Sequence, residues 1–292
     1  MTTSTVRHFL FDDLGIRGML VQASDTWQAM QERRNYPPVV RDLLGEMAAV
    51  TALMGSSLKT PGRLTFQLQG NGPIAMMVVD CEEHQGQLRL RGMAKATGEI
   101  LPAPAPQLFG NGHLMLTLQT RNPNAAPYQS FVPIAGESIA AIFEHYLEQS
   151  EQLPSRLWLE TGAHQACGLF LQRLPHSPKT TDADGWNRVQ LLAATLRPGE
   201  LALPAETLLT HLFPDETIRL FEPKPVIYHC PRNENKVRQM LRSLGRQEIE
   251  SILAEHGEIF IRDDIGNHEY RFGAGIVEEL FGATEIPPHI LH

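Results

Sequence analysis

Cysteine is scarce in this chain: the 292 residues include three, Cys81, Cys167 and Cys230, and these are widely spaced. An odd and scattered set excludes the disulfide-stapled scaffolds of small secreted proteins. Basic residues are also few: the sequence has 25 Lys and Arg against 33 Asp and Glu, which gives a net charge of −8. Phosphate backbones need basic surfaces, so nucleic acid is excluded as a main partner.

Long apolar segments are missing too. No run reaches membrane-spanning length, and the polar stretch 1–8 lacks the apolar core of a signal peptide. We therefore expect a soluble, cytoplasmic protein with no membrane partner. A hydrophobic content of 42% supports ordinary globular cores, and the chain is long enough for two domains.

Motifs of catalysis and nucleotide binding are absent as well. The sequence has no Walker A, His-Glu-x-x-His or Gly-x-Ser-x-Gly motif. The loop Gly70-Asn71-Gly72 lacks a third glycine and precedes a strand pattern, unlike a dinucleotide loop. Ser56 and Lys59 fit a Ser-x-x-Lys pattern without its supporting elements, and so short a match often arises by chance. We expect no enzymatic activity, no catalytic residue and no use of ATP.

Apolar patterning predicts an α+β fold in the N-terminal part. From Val39 to Leu58, apolar residues surround most of a helix, which indicates burial at the centre of the domain. A second helix is predicted over Glu137–Glu148. Strand patterns with turns at Gly70–Pro73 and Gly110–Gly112 predict sheets around these helices. The predicted strands are Phe9–Phe11, Arg63–Leu68, Ile74–Val79, Gln87–Met93, His113–Leu118, Gln129–Ile134, Arg156–Glu160 and Ala166–Leu174.

The C-terminal part begins with a polar, proline-punctuated stretch from His176 to Gly185, which predicts a linker. Short amphipathic helices are then predicted over Trp186–Leu196 and Ala205–Phe213. A small α+β domain follows from near Pro223, and a loose tail is expected over 283–292. The predicted division is an N-terminal core domain of residues 1–177, an all-α linker region 178–222 and a C-terminal domain 223–292.

Short strings spread over almost the whole chain follow the order of a known family. The first domain contains Phe9-Leu10-Phe11, Gln67–Pro73 and Gly110–Gly112. The C-terminal domain contains Tyr228-His229-Cys230-Pro231-Arg232, then a helical block, then Asn267–Phe272. In order and spacing the chain resembles the 33 kDa heat-shock protein family of redox-regulated holdase chaperones.

That resemblance defines a metal site that this sequence lacks. Members carry Cys-x-Cys before the helical block and Cys-x-x-Cys before the closing aromatic pair, and four thiolates hold a structural zinc. In the family, oxidation releases zinc, forms disulfides, unfolds the C-terminal domain and exposes a client-binding surface. The four positions here are Cys230, Arg232, Asp263 and Gly266. One thiol is retained, so we expect no metal or other cofactor and no redox switch of the family type.

An alternative is a metal- or redox-sensing protein rebuilt on Cys230, Asp263 and nearby histidines such as His229, His256 and His268. Cys230 is the candidate redox-active thiol, since a cationic imidazole at His229 would favour the thiolate. Cys81 lies among acidic residues, which disfavour its thiolate.

The function expected from the resemblance is that of an ATP-independent holdase that binds unfolding proteins, with homodimers as the implied active form. The C-terminal domain either folds without zinc and keeps the binding surface masked until heat releases it, or is marginally stable and leaves the protein partly active without oxidation. The candidate client-binding surface is formed by apolar residues of the linker helices: Trp186, Leu191, Leu192, Leu196, Leu208, Leu209, Leu212 and Phe213.

Overall fold

A computed structural model describes residues 3–122, 125–175, 182 and 184–282. Tertiary contacts divide the chain into two units, residues 1–229 and 230–292. Most of the predicted linker 176–185 and the predicted tail 283–292 lie outside the described residues, as does the predicted boundary after residue 177. The strands of the first unit are β1 (Thr5–Phe11), β2 (Ile16–Ala23), β3 (Gly62–Gln69), β4 (Ile74–His84), β5 (Gln87–Ala96), β6 (His113–Thr120), β7 (Tyr128–Pro133), β8 (Ser155–Thr161), β9 (Ala166–Arg173), β10 (Ile218–Leu220) and β11 (Lys224–Tyr228).

These strands form one sheet with the order β7-β6-β3-β4-β5-β11-β1-β2-β9-β8, and β10 also pairs with β1. The pairs are antiparallel except β11 with β5, which run parallel. The predicted α+β class is confirmed. Strand β11 lies within residues that the sequence assigned to the C-terminal domain, and the structure instead places it between β5 and β1 of the first unit. The position of β11 is set by pairing with strands that are distant in sequence, and a local sequence pattern cannot predict such pairing.

The first four helices, α1 (Asp25–Gln31), α2 (Pro38–Ser56), α3 (Ala105–Phe109) and α4 (Ile139–Glu151), bury a core on one face of this sheet. Helix α2 crosses the sheet, and its buried residues point to most sides, as the sequence predicts. Ser138 caps α4 by accepting a hydrogen bond from the Ala141 amide, and Phe143 of this helix packs edge-on against Phe66 at 4.6 Å. The other helices of this unit are α5 (Gly185–Ala193) and α6 (Ala205–Leu212), with a 3₁₀ turn at Glu200–Ala202.

A second apolar cluster lies on the opposite face of β1, β2 and β9. Alternate residues of a strand point to opposite faces, so Phe170 joins the first core, and Leu169 and Leu171 join the second. Helices α5 and α6 cover this second cluster, where Phe213 packs edge-on against Phe11 at 5.1 Å. The short helices predicted after the linker are therefore docked on the sheet of the first unit.

The two glycine turns that contribute to the family resemblance are in contact. The Gly72 amide donates to the Phe109 carbonyl at 2.9 Å, and the Asn111 amide donates to Asn71 Oδ1 at 2.9 Å. A Cβ at Gly70 would overlap the Phe109 carbonyl oxygen. Glycine at residue 70 is required by this close approach of two backbones.

The second unit has its own small core. Its elements are α7 (Glu234–Leu244), α8 (Arg246–His256), the hairpin of β12 (Ile259–Asp263) and β13 (His268–Phe272), and α9 (Ile276–Phe281). Asn233 caps α7 by accepting a hydrogen bond from the Lys236 amide at 2.9 Å. The buried residues are Leu241, Ile249, Ile259, Tyr270, Phe272, Ile276, Val277 and Leu280.

Candidate functional site

The fold of the second unit brings together positions that the family resemblance assigned to metal ligands. Cys230 precedes α7, and Asp263 ends β12 just before the turn that contains Gly266. A Cβ built at Gly266 would lie 2.9 Å from Cys230 Sγ and 2.6 Å from Asp263 Oδ2. The same point would be 2.6 Å from Cδ2 of the His268 ring. Three of the four positions that the family resemblance assigned to metal ligands therefore meet in space.

The fourth position, Arg232, presents a cation where the family has a thiolate. Arg232 Nη2 donates to the Glu269 carbonyl at 2.6 Å, and its guanidinium lies 4.8 Å from the centroid of the Tyr270 ring. The Asn233 amide donates to the Tyr270 hydroxyl at 3.0 Å. This arginine links the chain before α7 to the β12–β13 hairpin by a hydrogen bond and a cation–π contact.

The residues present do not fit a zinc ion with four protein ligands. Arg232 carries no metal-donor atom, and Gly266 has no side chain. His268 Nε2 lies 2.6 Å from the Cys230 carbonyl oxygen, so this ring nitrogen is engaged with the backbone. Within the described ranges, no three His, Cys, Asp or Glu side chains are grouped so that they could hold a metal ion.

Two other histidines considered for a rebuilt site have local partners. His256 Nε2 lies 3.8 Å from Glu255 Oε1 on an exposed part of α8. His229 belongs to the first unit, where burial and the positive charge of Arg89 lower its pKa. The cationic imidazole that sequence reasoning placed beside Cys230 is thus disfavoured. A redox role for Cys230 stays a prediction.

The three cysteines are present as thiols, and all are buried. Burial, reinforced by the charge of Asp80, raises the pKa of Cys81 to about 12. Burial and the charge of Glu160 raise the pKa of Cys167 to about 12. Thiols of such high pKa react slowly with oxidants, because the thiolate is the reactive form.

The candidate client-binding residues fall into two groups. Leu191 is 71% exposed, and Trp186, Leu192 and Leu196 are partly buried against the second cluster. The α6 group is buried on the sheet, within the cluster that contains Phe9, Phe11, Leu169 and Leu171. This group consists of Leu208, Leu209, Leu212 and Phe213. In this conformation most of the candidate surface is covered.

Comparison with known proteins identifies the family to which this chain belongs. A family model described as Hsp33 protein matches residues 4–273. The chain belongs to the Hsp33 family. A "33 kDa chaperonin" of Methylobacillus flagellatus is 38% identical over 283 residues, covering 96% of this chain and 95% of that protein. One from Nitrosococcus oceani is 40% identical over 277 residues, covering 94% and 93%.

A solved structure has the same fold. The 33 kDa chaperonin of Thermotoga maritima matches with a TM-score of 0.80 and 22% identity, covering 94% of this chain and 97% of that one. Membership in the Hsp33 family makes this chain a chaperone that binds client proteins, and not an enzyme.

The Ser56–Lys59 pattern is consistent with this non-enzymatic assignment. The Ser56 hydroxyl is buried and donates to the Leu53 carbonyl at 2.7 Å, as expected at a helix end. His8 Nε2 lies 2.8 Å from the same hydroxyl, a contact that no sequence motif indicated. Burial and the charges of Lys224 and Arg17 lower the pKa of His8. Among the residues that the structure describes, no helix is long and apolar enough to cross a membrane.

Proposed function

We propose that this Hsp33 chaperone is an ATP-independent holdase that works without bound zinc and without activation by thiol oxidation. The observation that carries the proposal is the composition of four positions that the family resemblance assigns to thiols: they hold Cys230, Arg232, Asp263 and Gly266. Two disulfides need four cysteines, so this set cannot perform the oxidative step that the family resemblance implies.

The second unit has arginine contacts that add to its apolar core. The Arg238 guanidinium lies 5.6 Å from the ring of Phe272 in the core, and the Arg271 guanidinium lies 4.6 Å from the exposed ring of Phe260. Arg238 also pairs with Glu279 at 2.7 Å. Each exposed cation–π contact contributes about 0.5–1 kcal/mol, so several together supplement a thin core. We infer that this unit folds without a metal, which favours the first of the two alternatives derived from the sequence.

Client binding is assigned to apolar residues of α5, α6 and the sheet face under them. In the docked state α6 buries Leu208 and Phe213 against this face. Release of the helices would expose apolar area on both sides, and burial of a client's apolar surface contributes about 25 cal/mol per Å² without a chemical step. Partial unfolding by heat is the trigger that we propose for this release. Cytoplasmic location and homodimer formation remain predictions.

The test is light scattering of a thermally unfolding client protein, with the chaperone held in excess dithiothreitol and a zinc chelator. We expect suppressed aggregation once the chaperone has been warmed, unchanged when the chelator is omitted and when peroxide replaces dithiothreitol. A variant with Cys81, Cys167 and Cys230 changed to serine is expected to behave like the parent. Suppression that appears only after oxidation, or is lost in this variant, would refute the proposal.

The alternative function, a metal or redox sensor, is supported by one observation: Cys230 Sγ and Asp263 Oδ2 approach a common point at Gly266. Metal analysis of the purified protein discriminates the two. Zinc at one equivalent per chain, lost in Cys230→Ser, would establish the sensor site. Metal-free protein with full holdase activity supports the holdase proposal.

A further inference from the structure

The first unit contains an open cavity, of about 590 Å³, that the holdase proposal does not use. It lies between the C-terminal ends of α2 and α4 and the sheet. Ligand pockets span roughly 300–1,000 Å³ and are mostly apolar with a few polar groups, and this cavity fits both criteria. The apolar part of its lining is formed by Met54, Leu58, Leu64, Phe66, Leu116 and Leu118 together with neighbouring leucines.

The polar groups of the lining include two cations. Arg17 and Lys59 border the cavity together with Glu151 and Gln172. Lys59 is exposed and has no carboxylate partner among the described residues. Glu151 is the nearby negative charge, and its Oε2 accepts a hydrogen bond from Gln172 Nε2 at 2.8 Å. With two cations and one carboxylate, the lining has an excess of positive charge.

Arg17 is held in place by a fully buried side chain. Gln172 is 0% exposed, and its Oε1 accepts a hydrogen bond from Arg17 Nε at 2.8 Å. Gln172 Nε2 also donates to Ser155 Oγ at 3.0 Å, which fixes the amide. The distance from Arg17 Nη2 to Glu151 Oε2 is 3.9 Å, too long for a hydrogen bond, so this nitrogen retains donor capacity. A preorganised guanidinium is the preferred partner of a carboxylate.

We propose that this cavity binds one long-chain carboxylate, with the alkyl chain against Leu116 and Leu118 and the carboxylate at Arg17 and Lys59. The apolar lining of the cavity would contact the alkyl chain, and the excess positive charge of the lining would attract the anionic head group. One arginine and one lysine match one carboxylate head group, so the ligand is a free single-chain acid. An apolar segment of a client polypeptide is the competing occupant, and it would not require the two cations.

The test is isothermal titration of dodecanoate, below its micelle concentration, into the full-length protein, with dodecanol as the uncharged comparison. We expect saturable binding at one equivalent, and binding of dodecanol at least tenfold weaker, since a charge-assisted hydrogen bond contributes about 1.5–3 kcal/mol and 1.4 kcal/mol is tenfold. Lys59→Gln and Arg17→Gln should each weaken dodecanoate binding by about tenfold. Lys236→Gln, an exposed lysine of the second unit, is the matched control and should leave binding unchanged.

A cavity-filling variant adds an independent readout. Leu116→Trp, with folding checked by circular dichroism, should abolish dodecanoate binding. If this variant does not fold, the lysine and arginine variants still decide the outcome. Equal binding of dodecanol and dodecanoate, or affinities unaffected by Lys59→Gln and Arg17→Gln, would overturn the proposal. So would a cavity that binds an unfolded client but not dodecanoate. None of these results depends on the holdase assay.

Discussion

Leu208→Ala tests whether docking of α6 restrains the chaperone. Leu208 is 0% exposed and lies in the second cluster, between α6 and the sheet face of β1, β2 and β9. Truncation to alanine removes apolar contacts and leaves a cavity, at a cost of about 2–5 kcal/mol for a fully buried leucine. The loss falls on the docked state alone, because the released helix leaves this side chain in water.

This cost of Leu208→Ala predicts a large increase in the population with α6 released, which is the population that binds clients. Since each 1.4 kcal/mol is tenfold, a loss of about 2–5 kcal/mol raises the released fraction by roughly thirtyfold to several thousandfold. The assay is light scattering of an aggregating client at a series of chaperone pre-incubation temperatures under reducing conditions. We expect Leu208→Ala to suppress aggregation after incubation at temperatures that leave the parent protein inactive.

A matched control separates release of α6 from general instability. Leu53 is also 0% exposed, but it belongs to α2 and the first core, which α6 does not join. Leu53→Ala should lower the melting temperature without activating the chaperone below that temperature. The reasoning is refuted if Leu208→Ala leaves the activation temperature unchanged, or if both variants lower it in proportion to their loss of stability.

Three further predictions concern stability and metal binding. Burial and the charge of Asp42 raise the pKa of Glu46 from 4.5 to about 7. The protein therefore loses stability as the pH rises from about 4.5 to 7, because the folded state then holds a buried carboxylate. At pH 8, Glu46→Gln should be more stable than the parent protein by up to about 3 kcal/mol, measured by urea titration. Gly70→Ala should destabilise the first unit by about 1–3 kcal/mol, measured by thermal melting, because the new Cβ overlaps the Phe109 carbonyl. The triple variant R232C, D263C and G266C restores the three missing thiols and should bind one zinc per chain, measured by metal analysis. Its holdase activity should then depend on oxidation. A triple variant that stays metal-free would show that the unit no longer has the geometry of a zinc site.

The sequence pattern predicted the structure of segments whose own residues determine whether they are buried. The central helix was predicted over Val39–Leu58 and is observed as α2, since apolar residues on most sides leave burial as the stable arrangement. Strands β10 and β11 were missed. They are short, β11 contains Pro225, and their partners in β1 and β5 lie far away in sequence. Pairing of this kind depends on tertiary context, which local pattern does not contain.

For the candidate site, the family resemblance identified the positions but not their present chemistry. Cys230, Asp263 and Gly266 were placed together by resemblance alone, and the structure brings them to a common point. The role of Arg232 was not predicted, because its partners are a ring and a backbone carbonyl of the distant β13. What buries Leu208 and Phe213 was not predicted, since amphipathic periodicity indicates a buried face without identifying what packs against it.

The contacts that hold the second unit together determine which signals can unfold it. A structural zinc supplies on the order of 10 kcal/mol to a small domain, comparable to its whole stability, so loss of the metal alone is sufficient to unfold it. A cation–π contact such as that of Arg232 with Tyr270 contributes about 1 kcal/mol, and such contacts do not respond to oxidants. No single chemical event can therefore remove the stability of this unit. Heat acts on all such contacts at once, as it does on the docking of α6, and we infer that heat is the signal to which this chaperone responds.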